Sequence, residues 1–296
     1  MQGCRVVETK SCFWYSPRLL VLMSIPYHRA ITPSRGELGR LLFGAPAAAV
    51  RYHDPVGRDG GLFICANRDY DLPSLQGKSR NQTRRGLEQC RVEQLNFADV
   101  AEVGSALNQQ TFVRQGRDPN TIPAKQWRRY CDAASKLPDF EAWGAFVNGE
   151  LVAFVIAALV EDHYSILQQS SATKHLRSYP NNALIFAVTQ RKLKCPGVNC
   201  VSYGLRSLDT TTGLDHFKSS MGFALTPFGE SVAFHPLLKP LFGRTGRKLI
   251  RWLAGRYPEN DLWRKASAVL ERSSGQPASG ACREPQARPI PPELDL

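Results

Sequence analysis

Glu161, Asp162 and His163 stand together at the end of an apolar run: two carboxylates and an imidazole. Groups of this kind can take a proton from an incoming ammonium near neutral pH. The same composition also makes an ordinary polar turn, and the residues alone leave both readings open. Gln168 and Gln169 follow on the next extended segment. Side chains alternate along a strand, so one glutamine faces each side of the sheet. The inward one can hydrogen-bond a donor or acceptor substrate, or serve as a satisfied core amide. Lys78, Arg80, Arg84, Arg85 and Arg91 are set against Glu88 alone. Arg80 and Arg84 are four apart and share a helical face, which can clamp phosphate or RNA or remain solvated. From His235 to Pro258 there are Lys239, Arg244, Arg247, Lys248, Arg251 and Arg256 and no acid, interleaved with Leu249, Ile250, Trp252 and Leu253. Such a segment binds tRNA, lies on an anionic membrane surface, or packs its apolar side on the core.

These groups need elements to hold them. Short apolar runs at 48–52 and 62–66, separated by the glycines of 57–61, predict two strands with turns between. Ser74 predicts a helix N-cap for the basic stretch 75–90. A strand at 91–96 and helices over 97–116 and 120–137 follow. Val100, Val103 and Leu107 fall at helical spacing, and Trp127 and Tyr130 lie on one side of the second helix. Phe140–Val147 and Glu150–Val160 flank Asn148-Gly149, the dipeptide of a type I′ hairpin turn. Strands at 164–170 and 200–205 bracket a helix that Asn182 is expected to cap. A short helix at 213–221, a strand at 223–235 and basic helices near 244–256 and 261–272 complete the order. Helices, then antiparallel strands, then alternating helix and strand predict a mixed sheet covered on both faces.

The chain has 296 residues, 43% hydrophobic and 22% charged, with a net charge of +12. That composition supports a sizeable core, and the basic excess favours anionic partners. Eight scattered cysteines without a CxxC pair give neither a zinc site nor a disulfide framework. Reduced thiols and a cytoplasmic setting are therefore expected. The apolar stretch 13–25 contains Pro17 and Arg18 and lacks a small-residue cleavage site, so it reads neither as a span nor as a signal peptide. The expected organisation is an N-terminal extension over 1–30, one catalytic domain over 31–272 with basic C-terminal helices, and a Pro-, Gly- and Ser-rich disordered tail over 273–296. No metal site, nucleotide P-loop or Ser-His-Asp triad is legible.

Two runs carry a family resemblance. EAWGAFVNGELVAFVIAALVED, from Glu141, resembles the central strands of GNAT acyltransferases. YPNNALIFAVTQRKLKCPGVNCVSYGLRSLDTTTGLDHFKSSMGF is similar to the branch of that fold related to the FemAB aminoacyl transferases. In that branch a helix after a Pro-containing loop precedes a strand. A Gly-Leu-x-x-Phe-Lys segment and a Gly-Phe turn follow, here Gly213, Leu214, Phe217, Lys218, Gly222 and Phe223. The segment LPSLQGKSRNQTRRGLEQCRVE resembles the basic helix before the catalytic domain of those proteins.

The resemblance implies a GNAT-type α/β fold with a mixed, mostly antiparallel sheet and helices on both faces. It implies an acyltransferase moving an acyl group from a CoA or carrier thioester to an amine, with aminoacyl-tRNA as the alternative donor. A non-catalytic RNA- or membrane-binding protein on the same scaffold is the third reading. No tightly bound cofactor is expected. The resemblance makes Lys218 an electrostatic stabiliser of the tetrahedral intermediate, where a fixed cation offsets the charge growing on the carbonyl oxygen. Tyr203 becomes the group that protonates the leaving group, and Glu161 or His163 the base. One departure stands out. Acetyl-CoA enzymes of the fold hold pyrophosphate in a glycine-bearing loop at a helix N-terminus. The corresponding loop here, SSATKHLRSYPNN over 170–182, contains no glycine. Lys174, Arg177 and Asn182, with Gln168 and Gln169, are then the expected donor-binding residues. Lys78, Arg80, Arg84 and Arg85 are the expected contacts to a longer anionic body.

Overall fold

The computed structural model describes residues 6–18, 20–45, 47–206, 212–238 and 244–257. Much of the expected N-terminal extension is built into the sheet. β1 (Val6–Glu8), β2 (Phe13–Arg18) and β3 (Val21–Ile25) form an antiparallel meander. A helix the sequence reading does not contain follows, α1 (Arg35–Gly44). Its signal was present: Ser34-x-x-Glu37 is a capping box. Ser34 Oγ accepts from the Glu37 N–H at 3.2 Å, and the Glu37 carboxylate accepts from the Ser34 N–H at 2.9 Å. Glu37 also accepts from the Ser11 N–H at 2.9 Å, which ties the helix start to the β1–β2 loop. Trp14, Leu22, Ile31, Leu41, Leu42 and Val50 form a core around these elements.

β4 (Ala49–Cys65) is one long strand rather than two short ones. After a 3-10 turn at Leu72–Ser74 come α2 (Gly77–Gln89), β5 (Arg91–Leu95), α3 (Phe97–Arg114), a second 3-10 turn at Pro119–Thr121 and α4 (Ala124–Ser135). β6 (Phe140–Val147) and β7 (Glu150–Val160) form the predicted hairpin. Asn148 and Gly149 have φ of 51° and 81°, the left-handed pair a type I′ turn requires. β8 (His163–Ser171), α5 (Pro180–Leu193), β9 (Cys200–Leu205), α6 (Thr212–Ser220), β10 (Ala224–Phe234) and α7 (Arg244–Arg256) complete the described chain. The expected helix at 261–272 and the tail at 273–296 lie outside the described residues.

The strands make one ten-stranded sheet in the order β1-β2-β3-β4-β9-β8-β7-β6-β5, with β10 along the other edge of β4. Pairing is antiparallel except at β3–β4 and β8–β9. β4 therefore carries both halves: its start pairs with β3 and its end with β9. This sheet is larger than the expected GNAT-type one because β1–β3 are joined to it. Alternation on β8 sends Gln168 to Asn108 of α3 and Gln169 to Asn181 of α5, so these helices cover opposite faces. The main core fills both sides of β7, whose residues 152–158 are buried throughout.

The predicted turn around Gly57–Gly61 is replaced by a bulge. The β10 ladder steps from Gly229↔Asp59 to Glu230↔His53, so residues 54–58 leave the register. A Cβ on Gly229 would sit 2.0 Å from the Asp54 carbonyl oxygen, and one on Gly57 2.4 Å from the Glu230 nitrogen. These glycines permit two backbones to cross in contact, a use that reads in sequence like a turn. Two helix caps also differ. Ser74 closes the 3-10 turn and Gln76 precedes α2. Tyr179, in the left-handed region at φ 52°, precedes α5, and Asn182 lies buried within the first turn of that helix.

Candidate active site

β8 and β9 are parallel neighbours that pair over three positions only: His163↔Cys200, Tyr164↔Val201 and Ser165↔Ser202. Beyond these, β8 runs on to Ser171 and β9 to Leu205 without pairing to each other. The sheet opens there into a wedge at the C-terminal ends of two parallel strands, the place where open α/β sheets take ligands. A bulge marks the same edge. Ile156 pairs with Gln168 and Ala157 with Ile166, so Leu167 has no ladder partner on β7 and lies beyond the reach of β9. Bulges of this kind re-aim a residue beside functional sites.

Tyr203 and Gln169 face each other across the wedge and are hydrogen-bonded, the Tyr203 hydroxyl donating to Gln169 Oε1. Gln169 Nε2 donates to Asn181 Oδ1 at 3.0 Å, and Asn181 Nδ2 donates to Ser171 Oγ at 3.0 Å. Ser171 Oγ also accepts from Arg114 Nη2 at 2.9 Å, while Arg114 Nη1 donates to the Ser171 carbonyl at 2.9 Å. A continuous chain of bonds thus runs from Arg114 on α3 to Tyr203 on β9. Sequence reasoning missed Arg114 and Asn181. The first sits in the last turn of a helix, where a basic residue is unremarkable, and only the fold brings it to the end of β8. Burial pushes the Tyr203 phenol above its ordinary range, so it remains a hydrogen-bond donor at neutral pH.

Lys218 lies next to this chain. It is 4% exposed, and its Nζ donates to the Leu205 carbonyl at the end of β9 at 3.0 Å. The ammonium lies 4.7 Å from the centroid of the Phe63 ring and 5.8 Å from that of Tyr203. Burial pushes its pKa down, and Asp215, 3.5 Å away, pushes it back up. A lysine so placed is held by a backbone carbonyl, two aromatic faces and one carboxylate, and its position is fixed before any substrate arrives.

Glu161 and His163 are not brought to this place. They sit at and just before the paired end of β8, and six steps along the strand separate His163 from Gln169, about 20 Å. Glu161 bonds Arg29 at 3.0 Å and His28 at 3.0 Å. The His163 ring stacks on His28 with centroids 3.9 Å apart. This cluster joins the N-terminal strands to the main sheet. Burial first, and the neighbouring His28 second, hold His163 below the ordinary histidine pKa, against the pull of Asp162 and Glu161. Its buried Nδ1 has no hydrogen-bond partner. His53 is shifted the same way, mainly by burial. For a histidine lowered in the folded state, unfolding takes up protons, so stability falls as pH drops below about 6.5 and levels once the folded form is protonated. The melting temperature is expected to decline on going from about pH 7.5 to about pH 5. His163→Gln should remove its share of that slope while His53 keeps its own; an unchanged slope would show that His163 does not contribute.

The expected donor-binding residues are scattered. Lys174 pairs with Glu150 at 2.8 Å and His175 with the same carboxylate at 3.2 Å. Arg177 is exposed, and the Asn182 amide donates to Met221 Sδ at 3.5 Å. The first turn of α5 is covered by α2: a Cβ on Gly86 would lie 2.7 Å from the Tyr179 carbonyl oxygen and 3.4 Å from the Ala183 nitrogen. On α2, Lys78, Arg84 and Arg85 are exposed, whereas Arg80 donates to the carbonyls of Leu72, Pro73 and Leu75 and serves to fix that loop. Among the described residues, no group of three His, Cys, Asp or Glu side chains is placed to hold a metal ion. Cys12, Cys65, Cys90, Cys131, Cys195 and Cys200 are free thiols. No described helix is long and apolar enough to cross a membrane.

A large, mostly antiparallel sheet, helices on both faces and one splayed parallel strand pair define a mixed α/β fold. Solved structures share it. FemX is 13% identical, over 80% of this chain and 90% of its own, with a TM-score of 0.55. The C-terminal domain assigned to a lysylphosphatidylglycerol synthetase of Agrobacterium fabrum is 11% identical, over 79% and 84%, with a TM-score of 0.52. No family model matches the chain, and no curated protein matches it.

Proposed function

We propose that the chain is an acyltransferase that moves an aminoacyl group from a tRNA ester to an amine, and that the wedge between β8 and β9 is its active site. The observation that carries the reading is Lys218, a buried cation held at the end of β9 beside the Tyr203–Gln169 bridge. In the reaction the amine nitrogen attacks the acyl carbonyl carbon, and the carbonyl electron pair moves to oxygen. Lys218 offsets that charge from a fixed position. When the tetrahedral intermediate collapses, the carbon–oxygen bond to the ribose breaks, and the leaving oxygen takes a proton while the ammonium gives one up. Tyr203, whose hydroxyl spans the wedge to Gln169, gives the leaving oxygen its proton and is reprotonated by the one the ammonium releases, and Asn181, Ser171 and Arg114 hold the Gln169 side of the bridge.

Two features favour an aminoacyl ester over a CoA thioester. The glycine-free loop is followed by a helix N-terminus that α2 already covers, which disfavours pyrophosphate binding there. The exposed Lys78, Arg84 and Arg85 on α2 suit a longer anionic body. One of the similar structures named above is assigned to a lysylphosphatidylglycerol synthetase, a name that carries an aminoacyl group.

Binding of charged tRNA and of acyl-CoA across a salt series separates the donors. Affinity for tRNA is expected to fall steeply with salt, and Arg84→Ala/Arg85→Ala should reduce the slope by about one for each arginine lost. Tight CoA binding with a flat salt response would return the donor to the thioester class. Turnover with neither donor, whatever binds, would overturn the transferase reading.

A further inference from the structure

Helix α7 buries little and displays much. Ile250 is 5% exposed, and Leu253 and Ala254 are half-buried against the protein. On the outward side Trp252 is 61% exposed and Leu249 49%. At 3.6 residues per turn, Lys248, Trp252 and Arg256 stand one above the other, with Leu249 beside the line and Arg251 flanking it; all are exposed. The Arg256 guanidinium lies 5.5 Å from the centroid of the exposed Tyr257 ring. No acidic residue occurs from His235 to Pro258. The helix therefore has one apolar side spent on the protein and a second, basic and aromatic, that the described residues leave in water.

We propose that this outward ridge docks on an anionic lipid surface. The helix lies in the interface plane, with Trp252 and Leu249 at the boundary of headgroups and acyl chains and Lys248, Arg251 and Arg256 against lipid phosphates. An indole is amphipathic and settles at that depth, its ring in the apolar layer and its N–H among the headgroups. The cations around it meet phosphates with no carboxylate to repel them. Nucleic acid would also meet the cations and stack on Trp252, but it offers nothing to the aliphatic Leu249. The combination of an aromatic anchor, an aliphatic neighbour and unopposed basic charge matches a lipid interface better. This inference does not depend on the transferase reading, since it concerns a surface and not the wedge.

Co-sedimentation of the full chain with vesicles tests it. Binding is expected to vesicles of phosphatidylcholine mixed equally with phosphatidylserine, and not to phosphatidylcholine alone. Rising salt should weaken it. Lys248→Ala/Arg251→Ala/Arg256→Ala should lower the partition coefficient by about fivefold for each cation lost, and Trp252→Ala should lower it by about tenfold. All these side chains are exposed, so melting temperatures are expected to match the parent chain. Equal binding to neutral and anionic vesicles, or anionic binding untouched by both variants, would overturn the proposal. Binding to single-stranded RNA that depends on Trp252, without binding to vesicles, would give the ridge to nucleic acid instead.

Discussion

Lys218→Met is expected to lower turnover by about two to three powers of ten, the usual loss when one fixed stabiliser of a developing oxyanion is removed. Methionine keeps much of the length and apolar bulk of the lysine stem, so contact with Phe63 and Tyr203 survives. The half-buried Leu205 carbonyl loses its donor, at a cost toward the low end of the about 1–3 kcal/mol for a fully buried acceptor left without a partner. Asp215 loses a neighbour 3.5 Å away but keeps contact with water. The variant should therefore fold, with a lowered melting temperature, and the two consequences separate in measurement. A merely structural lysine would reduce the folded fraction and leave kcat per folded molecule unchanged, which would remove Lys218 from the chemistry. A stabiliser of the intermediate leaves donor affinity nearly unchanged and depresses kcat.

Tyr203 and Gln169 qualify that expectation. The phenol already donates to Gln169, so its proton reaches a leaving group only if the Gln169 bridge opens when substrate enters the wedge. Arg114 and Asn181 hold the bridge from the β8 side. On the proposed reading, strand separation and side-chain chemistry are coupled: the bonds that close the wedge are those a substrate displaces.

The legibility of the fold in the sequence divides along physical lines. The β6–β7 hairpin was readable because Asn148-Gly149 encodes its own backbone conformation and the flanking strands are continuously apolar. β5, α2 through α6, β8 and β9 fall where periodicity placed them, within a few residues. What failed was information stored between distant segments. Gly57 and Gly229 allow a close crossing between β4 and β10, 172 positions apart in register-shifted contact, and a local reading turns such a glycine into a loop. Asn182 has the composition of a cap but faces Met221. In the candidate site, Lys218 and Tyr203 were singled out through a resemblance carried by their own neighbourhood, and the fold places them side by side. Arg114, Asn181 and Asp215 reach the candidate site through contacts that only the fold supplies. Glu161 and His163 satisfy the composition of a base, yet β8 carries them to its far end, where they hold His28 and Arg29.

Trp14→Ala is expected to destabilise the protein by about 3–5 kcal/mol, the range for deleting a buried aromatic side chain. Trp14 is 0% exposed. Its indole N–H donates to Thr9 Oγ1 at 2.8 Å, and its ring meets Tyr52 of β4 edge-on at 6.0 Å. From sequence, the segment containing it reads as an N-terminal extension over 1–30 that is weakly ordered. Burial argues otherwise, because an alanine there leaves a cavity between β2, α1 and β4 that the surrounding core cannot fully close. The location of the loss matters as much as its size. β4 pairs with β3 at one end and β9 at the other, so damage at Trp14 reaches the strand that borders the wedge. Urea unfolding should show one transition moved to lower denaturant if the two cores unfold together, and an added early transition if the β1–β3 region opens first. A midpoint equal to that of the parent chain would mean that these strands contribute no stability to the fold.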